Sequence, residues 1–384
     1  MTDFADPLQT PLPKNSAVNR LIEAAPFERV NETDALFMQA MREAARHHIK
    51  HCAIFRNLWE NEGFTPEMLK THADLEKMPF IFVAAFKQRH ITSTKDEDVA
   101  LELTSSGTTG QKSRIVLDRT SLDRVRRIAW QCFNGLGMTD PEQEADCLCF
   151  TYDPAAAKNL GTAFTDKLLT GLTKRGEIFY AIRWDDKKQS FYFDLDGAAE
   201  ALSRFEKRGR QTRIIGFPAH ALALCELYKK RFGRDARLNP SSWVITGGGW
   251  KDQQDRAVDK QQMRALIAKS LGLETAKVRD MFGMVEHGVP YIDCPHGEFH
   301  IPVYGRVLVR HPATLEPLEF GQTGLLQFIT PYLTSYPSIS LLTSDFGTVL
   351  PQCSCGMKSP VMRVLGRAGV TKMKGCAIAA SALL

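Results

Sequence analysis

Val99-Ala-Leu-Glu-Leu-Thr-Ser-Ser-Gly-Thr-Thr-Gly-Gln-Lys-Ser-Arg-Ile-Val-Leu-Asp118 places two strand-like runs, 99–104 and 113–118, on either side of a connection rich in hydroxyls and glycine. The connection, Thr104 to Gly110, holds five side-chain hydroxyls and two glycines, with Lys112 just beyond. Glycines let the backbone turn its N–H groups inward, and Ser and Thr add donors without bulk, a combination that suits polyphosphate oxygens. The spacing G-x-x-G-x-K-S is not that of a Walker A loop. An exposed hairpin turn prefers the same residue types, so both readings stand at this point.

Outward from this stretch, strand candidates recur at 147–152, 178–183, 213–217 and 242–246. Helical segments are expected near 160–174, 196–208, 219–232 and 254–271. Strands alternating with helices imply an α/β protein with a parallel sheet covered by helices on both faces. Upstream the pattern is helical: Phe37, Met41, Ala45 and His48 recur at helical spacing, and Asn31 to Thr33 offer N-cap oxygens. Beyond about residue 285, short strands and turns dominate. The expected division is a helical region (1–98), an α/β nucleotide- and acyl-binding core (99–285), a small β-rich part with a zinc site (286–365) and a tail (366–384).

Composition excludes several classes. With 384 residues, 43% hydrophobic and 24% charged, the chain is neither disordered nor fibrous, and it is long enough for roughly two to three domains. Its net charge of 49 − 44 = +5 is spread along the chain, which offers no footprint for nucleic acid. The longest uncharged stretch, Phe320 to Ser344, is broken by Pro331 and Pro337 and is not a transmembrane segment. No secretory signal opens the chain, and nine cysteines, an odd number, imply a reducing, cytoplasmic setting. Cys52, Cys132, Cys147, Cys149 and Cys225 sit in apolar runs and read as core residues; Cys294, Cys353, Cys355 and Cys376 lie among polar residues and glycines.

Three further segments carry chemistry. Ile245-Thr-Gly-Gly-Gly-Trp-Lys251 ends an apolar strand with a flat glycine surface, at the carboxyl end where open α/β sheets bind ligands; a plain strand-to-helix turn is the competing reading. Met281-Phe-Gly-Met-Val-Glu-His-Gly288 sets Glu286 just after a strand, where a carboxylate could hold a magnesium ion carried by nucleotide phosphates. Cys294-Pro-His-Gly-Glu-Phe-His300 and Cys353-Ser-Cys355 together offer three thiols and one or two imidazoles, a donor set for tetrahedral zinc once the fold unites them.

Read in order, the T-S-S-G-T-T-G-x-K loop, the glycine-ended strand, F-G-x-V-E, Thr343-Ser-Asp345 and Gly366-Arg367 resemble the adenylate-forming superfamily of acyl-CoA synthetases. Within it, GGGWK and the ending GRAGVTKMKGCAIAAS resemble the acyl-protein synthetases, the fatty-acid-activating subunits of bacterial bioluminescence reductase complexes. The resemblance runs from about residue 45 to the end of the chain.

It implies an adenylate-forming-type N-terminal domain without the usual mobile C-terminal subdomain. Thr104, Ser105, Ser106, Gly107, Thr108, Thr109, Gly110 and Lys112 would hold the ATP phosphates. Gly247, Gly248 and Gly249 would pack on adenine, with Phe282 and Gly283 opposite. Glu286 would bind Mg2+, Asp345 would accept from the ribose hydroxyls and Arg367 would contact the nucleotide.

Phe282 and Val285 stand where the superfamily often has Tyr and Thr. With the C-terminal subdomain goes its catalytic lysine, for which Lys112, Lys251, Lys372 and Lys374 are the candidate substitutes, and the sequence does not choose among them. Cys376, downstream of Lys372 and Lys374 whose charge favours a thiolate, would accept the acyl group as a thioester and deliver it to an acyl reductase partner. Bacterial phenylacetate-CoA ligases carry C…H and C-x-C-G segments similar to the zinc candidates, a pattern that favours His300 over His296 beside Cys294, Cys353 and Cys355. Two other functions fit the same residues: a ligase using coenzyme A as acceptor, and a non-catalytic nucleotide-binding scaffold. No G-x-S-x-G elbow supports a serine hydrolase.

Overall fold

The computed structural model describes residues 12–104, 114–153, 165, 167–250 and 258–367. Their contacts group them into two compact units. One is formed by 136–283 with 290–297, the other by the remaining described residues, including 284–289 and 298–367. Both are non-contiguous because the chain leaves the second unit, builds the first, and returns, a partition different from the four stretches drawn from composition.

The N-terminal part of the second unit is helical, as its periodicity predicts: α1 Ala17–Ile22, α2 Val30–His51, α3 Ala53–Asn61 and α4 Ala85–Gln88. Phe37, Met41, Ala45 and His48 form the buried face of α2. The expected cap at Asn31 to Thr33 is corrected. Arg29 is the N-cap and caps with no side-chain bond, and those three residues already lie inside the first turn, where Thr33 Oγ1 donates to Val30 O at 3.1 Å. A hydroxyl inside the turn serves the local carbonyl rather than the free N–H groups.

Strand β1 (Ile81–Phe82) follows, then β2 (Val99–Thr104) and β3 (Arg114–Asp118), which pair as an antiparallel hairpin. Helix α5 (Arg119–Gly135), absent from the sequence expectations, follows β3 directly. Its arginines conceal an amphipathic face on which Leu122, Val125, Ile128, Ala129, Cys132 and Phe133 are buried.

The first unit is the α/β part. Its elements run β4 (Asp140–Tyr152), β5 (Thr173–Asp185), β6 (Ser190–Phe193), α6 (Leu195–Arg208), β7 (Gln211–Gly216), α7 (Pro218–Phe232), β8 (Trp243–Gly247), α8 (Lys260–Leu271), β9 (Val278–Phe282) and β10 (Tyr291–Ile292). Sheet order is β10-β9-β8-β7-β4-β5-β6. The inner five strands are parallel, and β10 and β6 close the edges antiparallel. The expected helix near 160–174 is cut short by β5, which starts at Thr173; of the expected 254–271 helix the described part begins at Lys260.

Local chemistry brackets these helices. Asp194 caps α6 by accepting from Gly197 N, Pro218 opens α7, and Asp259 caps α8 through Gln261 N and Gln262 N. Gly209, Gly233 and Gly272 end them at φ of 74°, 71° and 67°, a left-handed turn that favours glycine. The core between sheet and helices is Leu148, Phe150, Leu202, Phe205, Ile214, Leu224, Val244 and Ile267.

The second unit resumes with β11 (Phe299–His300), β12 (Arg306–Arg310), β13 (Pro317–Leu318), β14 (Thr323–Ile329), β15 (Ser340–Leu350) and β16 (Val361–Arg367). These form the order β11-β16-β15-β14-β12-β13, all antiparallel, with β1 added in parallel to β15. Among the described residues no helix is long and apolar enough to cross a membrane.

Candidate active site

In the first unit, β8 ends on Gly247, in register with Met281 of β9, so Phe282 lies one residue beyond it on the neighbouring strand. A Cβ on Gly247 would stand 2.9 Å from Met281 O, and Gly248 and Gly249 have φ of 76° and 70°. The first glycine is required by close approach and the next two by left-handed backbone. Gly247, Gly248, Gly249, Phe282 and Gly283 are therefore brought together at the carboxyl ends of two parallel strands, where a planar ring can rest on bare backbone.

A polar network supports these strand ends, and sequence reasoning missed it. Thr246 Oγ1 donates to Asp280 Oδ1 at 3.0 Å, and Lys260 Nζ lies 3.0 Å from Asp293 Oδ2 and 3.6 Å from Asp280 Oδ2. Asp293 is fully buried and accepts from Asp280 N at 2.9 Å; Arg264, also buried, stands 3.9 Å from it. Burial raises the Asp280 carboxyl above its ordinary value, against the pull of Lys260. The signal was present: Arg279-Asp280 inside an otherwise apolar strand is a pair that must find partners.

In the second unit, Thr104 pairs with Arg114 across the hairpin, so the ends of the hydroxyl-rich connection are held side by side. Ser105, Ser106, Gly107, Thr108, Thr109, Gly110 and Lys112 lie outside the described residues, as do Lys251, Lys372, Lys374 and Cys376. Glu286 is buried, and its neighbours are strapped to the 332–336 segment. Tyr336 donates to Val285 O at 3.0 Å and Tyr332 to His287 O at 3.1 Å. Burial, and then the Glu286 charge, push the Tyr336 phenol far above its ordinary range.

Asp345 and Arg367 are cross-strand partners of β15 and β16, joined by Arg367 Nε to Asp345 Oδ1 at 3.0 Å. The carboxylate is nearly buried, while the guanidinium is 61% exposed. Two groups expected from far-apart segments thus form one unit, with an acceptor oriented by a cation that solvent can reach.

The candidate metal donors converge as well. His300, Cys353 and Cys355 have ligand atoms within 4.8 Å of one another, and His300 Nε2 stands 3.2 Å from Cys355 Sγ. The other ring nitrogen, Nδ1, bonds Ser359 Oγ at 2.9 Å, which sets Nε2 on the side of the thiols. Cys294 is fully buried and precedes His300 in the chain by 300 − 294 = 6 positions. His296 contributes its backbone N–H to Cys294 Sγ at 3.3 Å. Ser359 carries no spacing signature, and only the fold identifies it. All of the cysteines read as core residues, Cys52, Cys132, Cys147, Cys149 and Cys225, are buried, and burial pushes the Cys147 and Cys225 thiols up to about 12.

Comparison with solved structures shows that the fold is similar to that of adenylate-forming ligases. The fold matches 2-hydroxyisobutyryl-CoA ligase crystallised with an acyl-AMP in the postadenylation state, at a TM-score of 0.66 and 16% identity over 96% of this chain and 75% of that one. The same ligase in an open conformation matches at a TM-score of 0.64 and 17% identity, over 93% and 79%. The family model described as "Acyl-protein synthetase, LuxE" matches residues 12–384, and the chain belongs to that family. Among curated proteins it is 25% identical to the long-chain-fatty-acid–luciferin-component ligase of Vibrio harveyi, over 92% of this chain and 89% of that protein. It is 26% identical to the protein of the same name from Aliivibrio fischeri, over 88% and 86%.

Proposed function

We propose that the protein is a ligase that activates a long-chain fatty acid with ATP and carries the acyl group on its own cysteine to a partner acyl reductase in the cytoplasm. The observation that carries this reading is a family match spanning residues 12–384, supported by relatives of the same extent named as fatty-acid ligases.

In the first step a carboxylate oxygen attacks the α-phosphorus of ATP, and pyrophosphate leaves with the electrons of the P–O bond. Both reactants are anionic, so catalysis rests on position and on donors that meet the developing charge. Thr104 to Gly110 and Lys112 supply those donors, Gly247 to Gly249 and Phe282 hold the base, and Asp345 holds the ribose with Arg367 beside it. In the second step the Cys376 thiolate attacks the acyl carbon, AMP leaves, and a thioester replaces the mixed anhydride. Lys372 and Lys374 favour the thiolate, and Lys374 or Lys112 offsets charge on the α-phosphate.

Two metals fit the residues. Glu286, a hard carboxylate ligand, suits a Mg2+ that arrives with the nucleotide and offsets phosphate charge. Three thiols and a histidine, Cys294, His300, Cys353 and Cys355, suit a closed structural zinc.

The test is intact-protein mass after incubation with Mg2+, ATP and a long-chain fatty acid, for wild type and Cys376→Ser. An ATP-dependent acyl adduct, cleaved by hydroxylamine and lost in the variant, is the expected result. AMP release that requires added coenzyme A, with no adduct, would instead identify a coenzyme A ligase. Nucleotide binding without pyrophosphate exchange would leave a scaffold.

A further inference from the structure

At the other end of the strands from the glycine turn, the first unit gathers cations around one indole. Arg213 of β7 is in register with Cys147 of β4 and Trp243 of β8, so the three side chains share a face of the sheet. Lys277, just before β9, holds Nζ 4.1 Å from the centre of the Trp243 ring, and Arg279 brings its guanidinium carbon to 5.6 Å from the same ring.

Arg213 and Lys277 are little compensated. Arg213 is 1% exposed, and its Nε and Nη1 have no hydrogen-bond acceptor. Arg279 donates to Ala276 O at 2.7 Å and to Asp293 O at 2.6 Å, which fix the plane of its guanidinium. Lys277 is lowered from its ordinary value by burial first and then, against the pull of Glu274, by Arg279 and Arg213. Arg213 is likewise lowered, to about 10, by burial. Asp140 and Glu274 offset these charges only through space, and among the described residues neither Arg213 nor Lys277 forms an ion pair.

A desolvated guanidinium with unfilled donors is unfavourable unless an anionic acceptor meets it. Arg presents a planar fork suited to oxyanions and Lys a point charge, while the indole holds the ammonium at a set position. Lys277 is half-buried, so it is the member of this pair that solvent reaches, whereas Arg213 is enclosed.

We propose that Arg213 and Lys277, positioned by Trp243, form a binding site for a phosphate-type oxyanion, separate from the nucleotide residues; only the pyrophosphate source rests on the adenylating reading. The chemistry admits two sources, free orthophosphate and the pyrophosphate that adenylation releases, and titration with each separates them.

The experiment measures the thermal midpoint of the full-length protein against orthophosphate and, separately, pyrophosphate, with ionic strength held constant by sodium chloride. Wild type and Lys112→Ala should both show a saturable rise of a few degrees. Arg213→Met and Lys277→Gln should weaken the apparent affinity at least tenfold. Lys277 is the more exposed of the two, so its variant decides the matter if Arg213→Met fails to fold. The tighter of the two anions identifies the source. A response no greater than that of chloride overturns the proposal. So does a response that persists unchanged in Lys277→Gln, or one lost in Lys112→Ala alone, which would place the anion on the 104–112 loop.

Discussion

The two units hold their candidate site residues by opposite means. In the first, a parallel sheet delivers backbone: Gly247, Gly248 and Gly249 act by having no side chain, and a buried network of Thr246, Lys260, Asp280 and Asp293 supports them. In the second, an antiparallel sheet delivers side chains, and register does the positioning. Asp345 meets Arg367 across β15 and β16, and His300 of β11 meets Cys355 from the turn before β16. A backbone surface fails when anything is added to it, whereas a side-chain pair degrades according to which partner is lost and how exposed it is.

The strongest way to break this contrast is Gly247→Val. Its Cβ would press on Met281 O, and displacement of a binding surface by about 1 Å costs on the order of 100-fold in rate, read as ATP–pyrophosphate exchange. Exchange within a few fold of wild type would remove the glycine turn from the nucleotide site. Asp345→Asn tests the side-chain half. Replacing a charged acceptor removes a hydrogen bond of about 1.5–3 kcal/mol, so the KM for ATP should rise roughly 10- to 100-fold with the fold intact. An unchanged KM would leave Asp345 as a partner of Arg367 and nothing more.

The metal donors sharpen the comparison by a readout other than activity. Ser359→Ala removes the partner of His300 Nδ1, and such losses cost about 10- to 100-fold in metal affinity. Zinc content after dialysis against graded chelator measures this. Zinc held equally by wild type and variant would mean that Ser359 does not orient the ligand.

The units should also differ in acid. Burial lowers both His48 and His287 of the second unit to about 3, so each stays neutral in the folded state while its unfolded counterpart protonates below about 6.5. The unfolded state then binds more protons, and stability is present above pH 6.5 and is lost as pH falls toward 3, by up to about 1.4 kcal/mol per pH unit per histidine. Urea unfolding between pH 7 and 4.5 should show this slope, and His48→Gln should flatten about half of it. A slope indifferent to the substitution would assign the acid lability elsewhere. The smallest effect belongs to Arg367→Ala: a guanidinium 61% exposed contributes about 1 kcal/mol or less through its ion pair, so a change of only a few fold in KM for ATP is expected.

Much of the first unit was legible because its signals are short in range. Asp194, Asp259 and Pro218 begin helices and Gly209, Gly233 and Gly272 end them, each by a bond or backbone angle within a few residues. The strand cores at 147–152 and 178–183 lie on β4 and β5, and those at 213–217 and 242–246 match β7 and β8 to within one residue at an end. Helix α5 was hidden because Arg119, Arg124, Arg126 and Arg127 mask its apolar stripe in a linear reading. Arg124 and Arg127 prove to be buried, with Arg124 Nε on Asn19 Oδ1 at 2.8 Å and Arg127 Nε on Glu23 Oε1 at 3.0 Å.

By itself the sequence determined what depends on composition and nearest neighbours: the alternation of strands and helices, the glycine-ended strand, the thiol pairs and the order of motifs that resembles the acyl-protein synthetases. Only the tertiary structure decided what depends on register between distant segments. It paired Asp345 with Arg367, set Ser359 behind His300, laid Asp280 and Lys260 under the glycine turn, and aligned Arg213 with Trp243 beside Lys277. The physical reason is that a propensity or a cap acts over one turn of chain, whereas a contact between distant segments exists only after packing has chosen their order and alignment, and a slip of one residue would send the strand residues among them to the other face.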